Sequence, residues 1–538
     1  MVFNVTDQIR HIKKLSDIGI ALSLERDINK LFEMIVEEAK SFCNADAGTL
    51  YIVNEDQKSL KFEIMQNDAL DVRKGGVSGD VIEFPDVPLY IDGHPNYANV
   101  SSYVALTKET VNISDVYQVT RIGQFKNPDF TGTRKYDEKT GYLTKSMLVI
   151  PMKNHENTVI GVLQLINAQD QDLKQVVDFP TQIENVIASL ASQAAVALTN
   201  VQLIKGLKDL FYAIIESIAA AVDEKSPYTG GHINRVVELT MMIAEAIHAC
   251  DQEPFKDVFL NENEMEELRI AAWMHDVGKI TIPEHIMDKS TKLESIFDRL
   301  QLIETRFAYV EEKIKTACLR EKIDLMEKGV MDQITLKSLD EECSKTISQI
   351  RNDFEFVASC NQTGDVMSDK MLARLQTIAK KTFQFKSQVF PLLSQDEMAN
   401  LSIRKGTLTE KERKIIENHS QMTYKITSQL PFPKNLAHVP EYAASHHEKI
   451  NGSGYPKGLS GDELSLQSRI MTIADVFDAL TAKDRPYKKA MPLSQAIKIL
   501  RFMTKDQHID PDIFDLFLTA NLHSEHARNH LNPDQIDI

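Results

Sequence analysis

Residues 446–459 read HHEKINGSGYPKGL, two adjacent histidines running straight into a glycine-rich loop. Such a pair means little alone. It gains weight from four other segments that set titratable side chains beside apolar helical patterns. GGHINRVVEL (230–239) places His232 at the start of an amphipathic helix. LRIAAWMHDVGKITIP (268–283) places His275 and Asp276 at the end of an apolar helix, before a turn at Val277 and Gly278 and then Lys279. ERKIIENHSQMT (412–423) supplies His419, and SRIMTIADVFDAL (468–480) supplies Asp475 and Asp478. Burying so many ionisable groups among apolar helices is costly unless a cation compensates them. The pattern therefore points to metal, and imidazole with carboxylate suits borderline first-row ions.

In that order, His232, HDVGK, His419, HHE with NGSGYP, and IADVFDAL resemble the HD-GYP family of cyclic dinucleotide phosphodiesterases. The resemblance covers about 205–290 and 400–525; KGTLTEKE (405–412) matches the segment that normally follows HDxGKxxIP closely. It implies an all-α phosphohydrolase domain holding two divalent metal ions, iron or manganese by family habit. One ion would be held by His232, His275, Asp276 and Asp475, the other by the bridging aspartate with His419, His446 and His447. Lys279, Arg485 and Lys488 match the family's phosphate-contacting positions. Gly454 permits a tight backbone beside substrate, and Tyr455 shapes its wall. The implied reaction cleaves cyclic di-GMP to pGpG or GMP; a non-catalytic receptor and a hydrolase of cyclic GMP-AMP are the alternatives. In the family this loop is also proposed to meet diguanylate cyclase domains. Tyr228 stands where some members carry a carboxylate for a third metal, and Asn451 replaces the usual Asp before the loop. Asp223 stands where a family Glu is common, with no role assigned.

Toward the N-terminus the signals alternate. SDIGIALSLERDINKLFEMIVEEAKSFCNA is helical in period, GTLYIVNED and SLKFEIMQND read as strands, and KSMLVIPMKN and TVIGVLQLINA as two more. The stretch 127–168 resembles the C-terminal half of a GAF domain of the cyclic-nucleotide-binding kind. Asn167, Phe179 and Glu184 keep that group's residues, whereas Ala168 and Ile183 replace its Lys–Asp pair. The sensor is placed at 1–178, its ligand unknown. From Ile183 through Ile187, Leu190, Ala194, Ala197, Val201, Ile204, Phe211, Ile215 and Ile218 a 4-3 spacing suits a parallel coil between two subunits, so 179–218 is read as a linker helix of a homodimer. The other reading packs that helix on its own domain.

Residues 291–399 carry Ile296, Leu300, Ile303, Phe307, Val310 and Ile314 at 4-3 spacing, then helical runs near 333–357 and 366–390, with no cluster of metal-type residues. This is read as a helical insertion splitting the HD-GYP domain. The fold class is thus multidomain: an N-terminal α/β GAF domain, a long linker helix, and a C-terminal all-α HD-GYP domain with an inserted helical bundle. A net charge of −17 argues against nucleic acid or an anionic membrane as partner. Five cysteines without CxxC spacing fit reduced thiols, and no signal peptide pattern opens the chain. A cytoplasmic protein is expected.

Overall fold

In the computed structural model, Asp27 caps the second helix by accepting the backbone N–H groups of Asn29 and Lys30. Asn44 ends that helix in the left-handed region at φ 51°, turning the chain into its first strand. The structure describes residues 5–77, 79–97, 99–122, 125–126, 130–170, 173, 175–225, 231–329, 332–362, 366–482 and 491–538. They form two units, Met1–Phe211 and Tyr212–Ile538.

The first unit holds α1 (Val5–Leu24), α2 (Ile28–Cys43) and the strands β1 (Ala45–Val53), β2 (Ser59–Asn67), β3 (Val72–Gly75), β4 (Val111–Ile113), β5 (Met147–Lys153) and β6 (Val159–Gln169). Their order across the sheet is β3-β2-β1-β6-β5-β4, each neighbour antiparallel. Successive side chains of a strand face opposite ways, so Leu50 joins one core and Tyr51 the other. On the Leu50 face lie Leu31 and Ile35 of α2, with Ile187, Leu190 and Ala194 of α3 (Thr181–Asp223).

That packing corrects the expected seam. Ile183, Ile187, Leu190, Ala194 and Ala197 are buried in their own unit, because complete burial of an aliphatic side chain gives roughly 1.5–3 kcal/mol. The exposed stripe of α3 lies elsewhere, on Val196, Leu203, Leu207, Leu210 and Ile214, beside the expected Ile204. Among the described residues α3 is also the one helix long and apolar enough to cross a membrane by composition, and its apolar N-terminal half is this core.

The second unit opens with the rest of α3, then α4 (His232–His248) and α5 (Glu262–Met274). The insertion follows as α6 (Leu300–Glu327), α7 (Gln333–Asn361), α8 (Asp369–Ala379), the hairpin β7 (Thr382–Phe385) and β8 (Gln388–Pro391), and α9 (Gln395–Leu401). Two expectations fail here. The run near 366–390 stops being helical after Ala379, since TFQFKSQVFP alternates with period two; Phe383 pairs with Phe390 across the hairpin, their rings 5.9 Å apart. Ile296, expected to head the α6 seam, lies before the helix and is 91% exposed, whereas Ile303 and Phe307 are buried.

The insertion has its own core, including Ile303, Phe307, Val357, Leu375 and Leu392. Its two ends are tied together. Lys289 Nζ donates to Asn400 Oδ1 at 3.0 Å and Glu412 Oε1 at 2.8 Å, and Lys292 Nζ to the Ile403 carbonyl at 2.8 Å. The chain therefore leaves and returns at one place. It continues through α10 (Glu410–Thr427), α11 (Val439–Ala444), α12 (Leu466–Thr481), α13 (Leu493–Lys505), α14 (Pro511–Thr519) and α15 (Leu522–His530).

Because Leu190 packs on its own sheet, Leu190→Ala should destabilise the N-terminal unit by about 2–5 kcal/mol. Denaturant melts should show the same loss at every protein concentration; a loss that vanishes on dilution would place Leu190 between subunits.

Candidate metal centre

His275 caps the end of α5, and its Nδ1–H donates to the Ala272 carbonyl three residues earlier at 2.7 Å. The same bond recurs twice: His419 to Ile416 at 2.6 Å, and His446 to Ala443 at 2.7 Å. A carbonyl only accepts, so each Nδ1 carries the hydrogen and each Nε2 keeps its lone pair. His232, at the start of α4, uses a carboxylate instead, its Nδ1 lying 2.7 Å from Asp478 Oδ2.

These Nε2 atoms converge on Asp276. Its Oδ2 lies 3.5 Å from His232 Nε2 and 3.3 Å from His275 Nε2. Its Oδ1 lies 3.5 Å from His419 Nε2 and 3.9 Å from His446 Nε2. One carboxylate thus faces two groups, His232–His275–Asp276 and His419–His446–His447, in each of which the ligand atoms lie within 4.8 Å of one another. Asp475 of α12 completes the ring, 3.4 Å from His232 Nε2 and 3.9 Å from His447 Nδ1. Tyr455 lies beside His447, ring centroids 4.9 Å apart and planes tilted by 44°.

Three buried atoms, His275 Nε2, Asp276 Oδ1 and His446 Nε2, have no hydrogen-bond partner. Leaving such a group unsatisfied costs about 1–3 kcal/mol, so the donor set is arranged for something other than protein. A divalent cation fits it. Burial holds His419 below the ordinary imidazole range, His446 well below it and His447 at about 4, keeping all three neutral. Burial would raise Asp276 and Asp475, but Lys279 beside the first and His232 beside the second hold them ionised. Burial would also lower His232; Asp276, Asp475 and Asp478 outweigh it and raise it well above its usual value.

Lys279 Nζ sits 2.5 Å from Asp276 Oδ2. Gly278 beside it has a steric duty: a Cβ there would lie 2.0 Å from the His419 carbonyl oxygen and 2.6 Å from the Thr423 nitrogen. A Cβ at Gly454 would lie 2.5 Å from Glu448 Cα. Asn451 orders the loop by donating to the Asp506 carbonyl and accepting from Ser453 N–H. Asp223 accepts from Ile233 N–H at the start of α4. Tyr228, Arg485 and Lys488 lie outside the described residues.

Several supporting residues escaped the sequence reading. Arg235 grips Asp478 through Nε to Oδ1 at 2.7 Å and Nη2 to Oδ2 at 3.2 Å, fixing the carboxylate that orients His232. The hydroxyl of Thr423 donates to the His275 carbonyl, and that of Thr472 to the His446 carbonyl, each at 2.9 Å. Glu448, buried, accepts the N–H groups of Lys457, Gly458 and Leu459 and so holds the glycine-rich loop. Only Glu448 had a visible signal, as the third residue of HHE.

The first unit carries a separate cavity of about 260 Å³, lined by Tyr51, Phe62, Gln66, Asn67, Tyr136 and Tyr142 among others, with no charged side chain among its described lining residues. Gln66 Oε1 is buried there without a hydrogen-bond partner. Asn167, Phe179 and Glu184 do not line it. Asn167 braces the sheet by accepting from Lys145 N–H and donating to Tyr142 Oη, and Phe179 belongs to the helix-side core.

A GAF domain family model matches residues 27–198, and HD domain models match 229–343 and 394–513. A Vibrio cholerae protein named 3'3'-cGAMP-specific phosphodiesterase 3 is 45% identical over 111 residues, 20% of this chain and 23% of that relative. The Pseudomonas aeruginosa cyclic di-GMP phosphodiesterase PA4108 is 36% identical over 115 residues, 21% of this chain and 27% of its own length. The chain thus spans about a quarter of the length of these curated relatives. The GAF domain of an Acinetobacter phosphoenolpyruvate-protein phosphotransferase aligns at TM-score 0.26 and 14% identity, covering 37% of this chain and 98% of that domain.

Two outcomes follow from the geometry. Asp478→Ala removes the acceptor of His232 and should weaken Mn²⁺ binding by about 10–100-fold in a calorimetric titration. Gly278→Ala forces the HD turn away from α10, and bound metal per chain should fall with it in elemental analysis.

Proposed function

We propose that this chain, a GAF domain joined to an HD domain of the HD-GYP kind, is a metal-dependent phosphodiesterase that hydrolyses cyclic di-GMP to pGpG, GMP or both. The observation that carries the reading is the buried carboxylate of Asp276 facing two sets of imidazoles, with His275 Nε2, His446 Nε2 and its own Oδ1 lacking hydrogen-bond partners. His232, His275, Asp276 and Asp475 would hold one divalent ion, iron or manganese by preference, and Asp276 with His419, His446 and His447 the second. Bound there, two such ions supply an acidified water and offset the charge that develops at phosphorus.

The chain's own groups have further tasks. Lys279 brings a cation to the rim, where a phosphodiester's negative charge needs one. Arg485 and Lys488 are assigned the remaining phosphate contacts. Gly454 lets backbone approach the substrate, and Tyr455 walls the histidine side of the pocket. Buried imidazoles pinned through Nδ1 need no reorganisation when substrate arrives.

A second reading, cleavage of 3'3'-cGAMP, is favoured by the 45%-identical Vibrio relative, whose name carries that specificity. The histidine–aspartate set contacts phosphate chemistry rather than bases, so it serves either substrate. A non-catalytic receptor is the remaining alternative. The exposed stripe Val196, Leu203, Leu207, Leu210 and Ile214 has heptad-type spacing and would pair with a second copy in a coiled coil, so that the GAF domain regulates a cytoplasmic homodimer.

The full chain loaded anaerobically with Mn or Fe should turn over cyclic di-GMP. His275→Ala and Asp276→Ala should each abolish this; activity persisting in both would refute the assignment. Binding without turnover under either metal would favour the receptor. A higher kcat/KM for 3'3'-cGAMP in competition would move the substrate. Leu207→Glu with Leu210→Glu should halve the mass seen by light scattering, and an unchanged mass would rule out the coil.

A further inference from the structure

The last helix carries a histidine cluster that the catalytic proposal leaves unused. His526 and His530 stand at i and i+4 on α15, one turn apart on one face, a spacing that lets two imidazoles chelate a single ion. Glu238, on the neighbouring α4, reaches the same place: His530 Nε2 lies 2.8 Å from Glu238 Oε2. One ligand atom from each of the three residues falls within a span of 4.8 Å. The ligands of a tetrahedral zinc site stand ~3.3 Å apart, given bonds of about 2.0–2.1 Å. Small side-chain movements therefore close the cluster around an ion.

A second observation separates this group from an ordinary surface ion pair. His526 is 1% exposed, and its Nδ1 has no hydrogen-bond partner. A core histidine kept for packing normally satisfies both ring nitrogens. Burial first, then neighbouring His530, push its pKa down to about 4, so the ring is neutral, the form that binds metal. His530 and Glu238 are 25% and 42% exposed at their side chains, which provides a route from solvent.

We propose that Glu238, His526 and His530 form a mononuclear site for a divalent ion of the zinc class, separate from the centre around Asp276. Glu238 lies six residues beyond His232 on α4, about 9 Å along the helix axis at ~1.5 Å per residue. The ion would fasten α15 to the helix that also presents His232 and Arg235. This is a structural clasp, and it holds whether or not the central site is a hydrolase.

The test compares the full chain with its Glu238→Gln, His530→Ala double variant. Both are stripped with chelator, exchanged with zinc, desalted and analysed for metal. The parent should retain one more zinc equivalent per chain than the variant. With cobalt(II) as probe, the variant should lose the visible bands of a low-coordinate ion. Should the double variant fail to fold, Glu238→Gln alone serves, since it keeps a hydrogen-bonding group yet removes the charge; its zinc Kd for that extra equivalent should rise by about tenfold or more, roughly 1.4 kcal/mol. Equal zinc content and identical cobalt spectra in parent and double variant, or an unchanged Kd in Glu238→Gln, would overturn the proposal.

Discussion

The fully buried carboxylate of Asp276, shared by two groups of imidazoles, sets the terms for the rest of the second unit. An anion taken out of water needs compensation, and here Lys279 and His232 supply part of it. Around that point the helices are arranged so that α4, α5, α10, α12 and the segment after α11 each deliver one or two side chains. The packing is close enough that the backbone at Gly278 touches α10 with no room for a methyl group.

Orientation comes from the backbone. Three of the histidines anchor Nδ1 on the carbonyl three residues before them, a local bond that needs no other element to set the tautomer. Tertiary contacts then fix position: Thr423 links His275 to α10, Thr472 links His446 to α12, and the Arg235–Asp478 pair holds His232. Removing one of these outer groups disturbs geometry without removing a ligand, which is why such residues matter as much as the inner set.

The insertion shows how over a hundred residues can interrupt a site without spoiling it. Lys289 and Lys292, near its start, bond to Asn400, Glu412 and Ile403, near its end. Its apolar residues form a separate core. Closing a long loop costs only slowly more as the loop lengthens, so a self-sufficient insert between two tied ends leaves the flanking helices in register.

The inner residues of the centre were legible in the sequence because imidazole, carboxylate, glycine and apolar periodicity sit together in short motifs, and the strands of the first unit because alternation is a local property. Period alone misled at Ile296, which lies before its helix, and at two longer stretches. A 4-3 apolar pattern states that one face of a helix is buried, not against what, and Leu190 turned out to face its own sheet. Aromatic alternation in TFQFKSQVFP was hidden inside a helical reading. What only the tertiary structure decided was convergence: Arg235 with Asp478, Glu448 with its loop, and Glu238 with His526 and His530 meet from segments 9 to 292 positions apart. No local pattern encodes such meetings, because side chains distant in sequence are brought together by the packing of whole helices.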